Sequence, residues 1–167
     1  MVENEVTAVR EEETQKDKYL CFQLDDAEYA LAIRHVVEII GIQRITTIPD
    51  VPPYIRGVIN LRGKIIPVID VRMRFQLDER DYDDRTCIIV VSINDKSVGL
   101  IVDTVNEVLN IPPAQIQDPP KIKKGSQNRF IAGLAWVGDS VKIIINMEKF
   151  LFEEEMEGIN KKEAVLS

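Results

Sequence analysis

His35 is the single histidine of this 167-residue chain, and an imidazole is the first place to look for proton transfer. Nucleophilic hydrolysis needs a nucleophile, a base and an orienting acid within reach of one another. The sequence has no Gly-x-Ser-x-Gly elbow and no glycine-rich phosphate loop to accompany the histidine. His35 therefore reads as an exposed residue on a short amphipathic turn. Cys21 and Cys87 form no Cys-x-x-Cys clip and no His-x-x-x-His pair exists, so metal chemistry lacks its ligands. Both cysteines lie in apolar runs and read as small buried hydrophobes in matching strands. Asp70 and Asp103 could be imagined as paired carboxylates. Asp70 is better explained as the N-cap of Val71-Arg72-Met73-Arg74-Phe75, and Asp103 stands where an internal repeat places Arg34. No catalytic residue, metal or cofactor is expected.

The chemistry-bearing residue of another kind is Arg62, in the run from Ile55 to Asp70. β-Branched residues flank Arg62-Gly63 on both sides, and Gly63 can take the positive φ of a short hairpin turn. Arg62 is thus expected at a hairpin tip, facing water or a partner. A weaker copy of this run spans Ile131 to Asn146, aligned from Gly57 onto Gly133. Ile33, Val36, Glu38, Ile39, Ile40 and Ile42 likewise fall on Val102, Val105, Glu107, Val108, Leu109 and Ile111 at one constant shift. Blocks at Leu20 to Leu24 and at Asp70 to Met73 repeat too, at Thr86 to Val90 and Asn146 to Lys149. An internal duplication follows.

Each half is small enough to have a marginal core, so the two should share a buried interface. We expect a mainly β protein: two five-stranded antiparallel barrels packed on a shared core, with short helices. Residues 1–17 are rich in glutamate and expected to be a disordered tail. The first barrel is expected over 18–75, completed by a C-terminal helix, then a polar linker over 76–85 and the second barrel over 86–146. The helix is expected over 147–158, a mobile tail over 159–167, and a proline- and lysine-bearing surface loop from Pro112 to Asn128. Over residues 33–42 helical and β signals compete, which predicts one helical turn passing into extended chain. The net charge of −7 repels phosphate backbones and anionic lipid surfaces. No apolar run approaches the roughly 20 residues of a membrane span and no signal peptide is evident, so a cytoplasmic protein is expected.

The run Gly57 to Gly63 followed by Ile66 to Arg72, together with Val98-Gly99-Leu100-Ile101-Val102-Asp103, resembles the CheW family of chemotaxis coupling proteins, over about Tyr19 to Leu151. The resemblance implies SH3-like barrels and an adaptor, not an enzyme, which joins cytoplasmic chemoreceptor tips to the histidine kinase CheA beneath membrane-anchored arrays, binding neither nucleic acid nor bilayer. It implies receptor contacts at Val36, Glu38, Ile39, Gly57, Arg62 and Val105, although Val36, Ile39 and Val105 could equally be core residues. It implies kinase contacts at Ile42, Ile45, Thr46 and Ile48, and at Gln117 and Ile122 in the second barrel. Some relatives carry Arg and Phe at these last two positions, so the second contact is weaker here or built differently. The rivals are a relative or fragment of CheA's regulatory end or of a coupling protein joined to a receiver, a small-barrel RNA binder that the charge opposes, and an enzyme with an unrecognised site. A Met start, an acidic tail and an end soon after the last helix favour a free-standing adaptor.

Overall fold

The computed structural model describes residues 15–119 and 127–151. Most of the acidic N-terminal segment, the C-terminal helix beyond Leu151, the tail at 159–167 and Ile122 lie outside them. The strands are β1 (Lys18–Leu24), β2 (Ala27–Ala32), β3 (Val36–Gly41), β4 (Ile55–Leu61), β5 (Lys64–Asp70), β6 (Cys87–Ile93), β7 (Lys96–Val102), β8 (Thr104–Asn110), β9 (Ile116–Gln117), β10 (Ile131–Val137) and β11 (Ser140–Ile145). Two short helices, α1 (Val71–Arg74) and α2 (Met147–Leu151), each follow the last strand of a repeat. One 3₁₀ turn, Ile33–His35, runs directly into β3, which resolves the mixed signal over 33–42.

Two-residue turns close the hairpins β1–β2, β4–β5, β6–β7 and β10–β11. Asp25, Arg62 with Gly63, Asn94 with Asp95, and Gly138 take the positive φ that such turns require. Asp and Asn tolerate it through local hydrogen bonding. Arg62 has no such local hydrogen bond to its own backbone to draw on.

The strands are not shared out as the contiguous halves 18–75 and 86–146. One sheet runs β8-β1-β2-β11-β10-β9 and the other β3-β6-β7-β5-β4. Each repeat thus lends its first hairpin to the other repeat's sheet: β1 pairs with β8, and β6 with β3. Parallel pairings at matching places, β2 with β11 and β7 with β5, complete the exchange. The exchange follows from burial on both faces. In β1, Leu20, Phe22 and Leu24 face a core shared between the sheets while Cys21 faces the inside of its own sheet. In β6, Ile89 and Val91 face the shared core and Ile88 and Val90 the inside. A hairpin apolar on both faces is most stable where two layers sandwich it.

Neither sheet is closed by a continuous ladder, but each curls until one stretch of chain links its two edges. β8 leaves one edge and, after Ile111–Gln115, returns as β9 on the other, pairing with β10. The surface loop expected from Pro112 onward therefore holds a closing strand. In the other sheet the chain leaving β3 returns at Thr46 to pair with Val58 of β4. Cys21 is fully buried as expected, but Cys87 is only half-buried at the start of β6. Around α1 the Arg74 guanidinium lies 4.3 Å from the ring centres of both Tyr54 and Phe130. The Phe75 ring lies tilted against Tyr29 and Phe150 and edge-to-face with Phe130, so both helices are seated in the shared core.

Candidate functional site

The seam between β3 and β4 is pinned at two ends. At one, Thr46 and Val58 exchange two backbone hydrogen bonds of 2.8 Å each. Gly57 lies beneath this crossing with φ +144°, and a Cβ there would fall 2.0 Å from the Thr46 carbonyl oxygen. Gly57 is buried, and its lack of a side chain is what lets the two chains cross this closely. At the other end Arg62 forks onto Glu38, with Nη1 3.2 Å from Oε2 and Nη2 on Oε1. The Arg62 side chain is 72% exposed and that of Glu38 24%. The Asn60 side chain accepts from the Gly63 N–H at 2.8 Å, which fixes the tip. Arg62 itself sits at φ 52°, whereas the repeat carries Gly138 there, at φ 60°. A residue kept in a left-handed conformation at some cost, where glycine serves in the copy, is kept for its side chain.

Beside this pair β3 alternates. Val37 and Ile39 are exposed at 56% and 43%, whereas Val36 and Ile40 are half-buried against the shared core and the sheet interior. Val105 holds the matching place on β8 and packs on the same shared core as Val36. The structure thus joins Glu38 with Arg62 and sets Ile39 beside them along β3.

The second group of candidate residues lies at the closing ends. Ile42 and Ile45 pack into the interior of the five-stranded sheet. Ile45 and Ile48 also line an open depression of about 520 Å³ with Val51, Pro52, Pro53, Ile55, Arg56 and Tyr82. Gln117 lies on β9 opposite Leu134, the place that Thr46 holds opposite Val58. Thr46 and Gln117 are therefore equivalent in the duplication.

Sequence reasoning missed a charge cluster that ties the halves together. Asp70 is the expected N-cap, accepting from Met73 N–H at 3.3 Å, and its other oxygen accepts from the Tyr82 hydroxyl at 2.8 Å. Asp103, expected only as the counterpart of Arg34, accepts from Arg72 at 2.8 Å, Arg80 at 3.1 Å and the Asp25 backbone N–H at 2.9 Å. Arg72 also reaches Asp25 at 2.6 Å and the Asp78 carbonyl at 2.9 Å. Burial works against the Arg72 charge, but the hydrogen bond to Asp25 and the fields of Asp103 and Asp25 outweigh it and raise its pKa. Burial and then Asp70 push the Tyr82 hydroxyl well above the ordinary tyrosine range. The one signal in the sequence was a pair of arginines in the apolar run after Asp70; nothing local says which acids answer them.

The arginines and acids of this cluster are taken up by one another and by the Tyr82 hydroxyl, so it holds structure. His35, expected to be exposed, is half-buried beside a depression of about 240 Å³ lined in part by Tyr19, Arg34 and Glu148. Burial and then Arg34 lower its pKa. Among the described residues no cluster of three or more His, Cys, Asp or Glu could hold a metal, and no helix is long and apolar enough to cross a membrane.

Two interlocked β sheets, with an ion-paired hairpin tip and two equivalent closing ends, define a binding scaffold. The chain belongs to the CheW-like domain family, which matches residues 18–155. It is 37% identical over 144 residues to the chemotaxis protein CheW of Klebsiella aerogenes, covering 86% of this chain and 87% of that one. It is 41% identical over 105 residues to the Bacillus subtilis CheW, covering 63% and 67%. Among solved structures, the scaffolding protein CheW of Thermoanaerobacter tengcongensis superposes with a TM-score of 0.76 at 38% identity, covering 83% of this chain and 94% of that one. The chain is therefore a chemotaxis scaffold of the CheW type and not an enzyme.

Proposed function

We propose that this scaffold couples cytoplasmic chemoreceptor tips to the histidine kinase CheA by stoichiometric binding, working in the cytoplasm beside membrane-anchored receptor arrays. The observation that carries this reading is the Arg62–Glu38 fork beside exposed Ile39, at a turn position where the repeat carries glycine. Apolar groups edged by one fixed ion pair suit a helical receptor tip. Glu38 and Arg62 form the polar centre of the receptor contact, with Ile39 next to them on the alternate side of β3 and Val36 and Val105 contributing their exposed edges. The equivalent closing ends serve the kinase: Ile42, Ile45, Thr46 and Ile48 at one and Gln117 at the other, with Ile122, a little further along the sequence, as a further kinase contact. Two such ends on one chain suit a bivalent linker.

Mixing the chain with CheA and a receptor signalling fragment tests the reading. A ternary complex is expected in size-exclusion chromatography, and pairwise complexes only, with no species containing all three proteins, would sink it.

A further inference from the structure

Trp136 is the only tryptophan in the chain, and it is 59% exposed. Single exposed apolar residues are ordinary, but the position of this one is not. Ala135 faces the interior of the six-stranded sheet with Cys21, Ala30 and Ile144. By the two-residue alternation of a strand, Leu134 and Trp136 share the outer face. Gln117 lies opposite Leu134 across β9–β10, and Val141 opposite Trp136 across β10–β11. Ile143, opposite Leu134, is packed against the shared core. The outer face thus runs from the shared core, through half-buried Leu134, to exposed Gln117 and Trp136.

Its rim is acidic. Asp118 follows Gln117 and Asp139 occupies the β10–β11 turn, both exposed. In the duplication the Trp136–Val141 rung corresponds to Asn60–Ile65 on the other sheet, where exposed Lys64 stands at the hairpin end. The two equivalent faces therefore differ in sign and in the size of their apolar group. Tryptophan is the residue most often found to dominate an interface when placed at its centre.

We propose that Trp136 is the anchor of the kinase-facing surface on the six-stranded sheet, docking the CheA regulatory domain through a patch that is apolar at its centre and basic at its rim. The assignment rests on reading Gln117 as a kinase contact, since Gln117 and Trp136 belong to one continuous face. It adds a ring and an acidic rim that Gln117 alone does not supply.

Because the tryptophan is unique, the full chain grown with 5-fluorotryptophan has one ¹⁹F resonance, and that resonance reports this face. Titration with the CheA regulatory domain is expected to shift the resonance, and titration with a receptor tip fragment to leave it in place. Trp136→Ala is expected to weaken the regulatory domain tenfold to thirtyfold in calorimetry, with Trp136→Phe recovering part of the loss and receptor binding unchanged. Binding of the regulatory domain with a motionless resonance overturns the anchor while leaving the adaptor reading intact. A resonance that moves with receptor tip, or with the chain's own concentration before any partner is added, assigns the face to another occupant and overturns it too. Failure of the unmodified chain to bind the regulatory domain at all would remove both readings together.

Discussion

At Arg62 two energies of similar size oppose each other. The left-handed backbone costs a non-glycine residue about 1–2 kcal/mol, whereas an exposed ion pair such as Arg62–Glu38 returns about 0–1 kcal/mol. Arg62→Gly is therefore expected to leave stability in urea unchanged or raised by up to about 2 kcal/mol. Binding to a receptor tip should nonetheless fall by about 1–3 kcal/mol, the worth of a charge-assisted hydrogen bond. Arg62→Glu should lose at least as much by setting an acid against Glu38, while kinase binding stays near normal. Equal loss for both partners, or a destabilised fold with intact receptor binding, would mean that Arg62 serves the fold. Tyr82 offers a residue-scale test of the cluster. Its hydroxyl, like those of Tyr19 and Tyr29, is held above the ordinary range by burial first. The unfolded chain then loses these protons first as pH climbs, so their stabilisation is full below about pH 10 and declines above it. Tyr82→Phe should cost about 1 kcal/mol at neutral pH and flatten the alkaline decline, as urea melts from about pH 8 to pH 11 would record.

Hairpins were legible because alternation and turn chemistry are local: the strands flanking Arg62-Gly63 fill the run from Ile55 to Asp70 in which the hairpin was expected. The closing segments were not legible. Thr46 and β9 contribute only one or two paired residues each, too few to show a period, and what marks them is the glycine they cross. Gly57 would set a Cβ 2.0 Å from the Thr46 oxygen, and Gly133 would set one 2.6 Å from Ile116 Cγ2 and 2.9 Å from the Gln117 carbonyl oxygen. A glycine in a sequence gives no hint whether it spares space for a partner or for its own chain, so the crossing at Gly57 could not be foreseen. Gly57→Ala is expected to cost about 3 kcal/mol or more, strain and overlap adding. Gly63→Ala, at φ +86° with nothing within 4 Å, should cost about 1 kcal/mol. Chemical unfolding of the two variants decides this, and equal costs would mean that the Thr46 crossing yields easily.

The duplication could be read from aligned residues, but the exchange of hairpins between the repeats could not. Both copies of each hairpin carry the same alternation, so either could complete either sheet, and only the packing of the shared core selects the exchanged arrangement. The consequence reaches every strand. Without its partner half, residues 1–84 would hold β1–β2 as an isolated hairpin, and β3 would lack β6, its only ladder partner. Residues 85–167 would likewise hold β6–β7 apart from β5, and β8 without β1. A lone hairpin is marginal in water, and the Arg72–Asp103 ion pair spans the cut as well. Separately prepared, the two fragments should show weak β circular dichroism and no cooperative melt. Mixed, they should recover the β signal with an end point at one-to-one stoichiometry and elute as one species near the size of the intact chain. Barrels built from contiguous halves would instead fold alone and gain nothing on mixing. A sharp thermal transition in either isolated fragment would therefore count against the exchanged topology as the source of stability, and recovery of both signal and receptor binding only in the mixture would establish it.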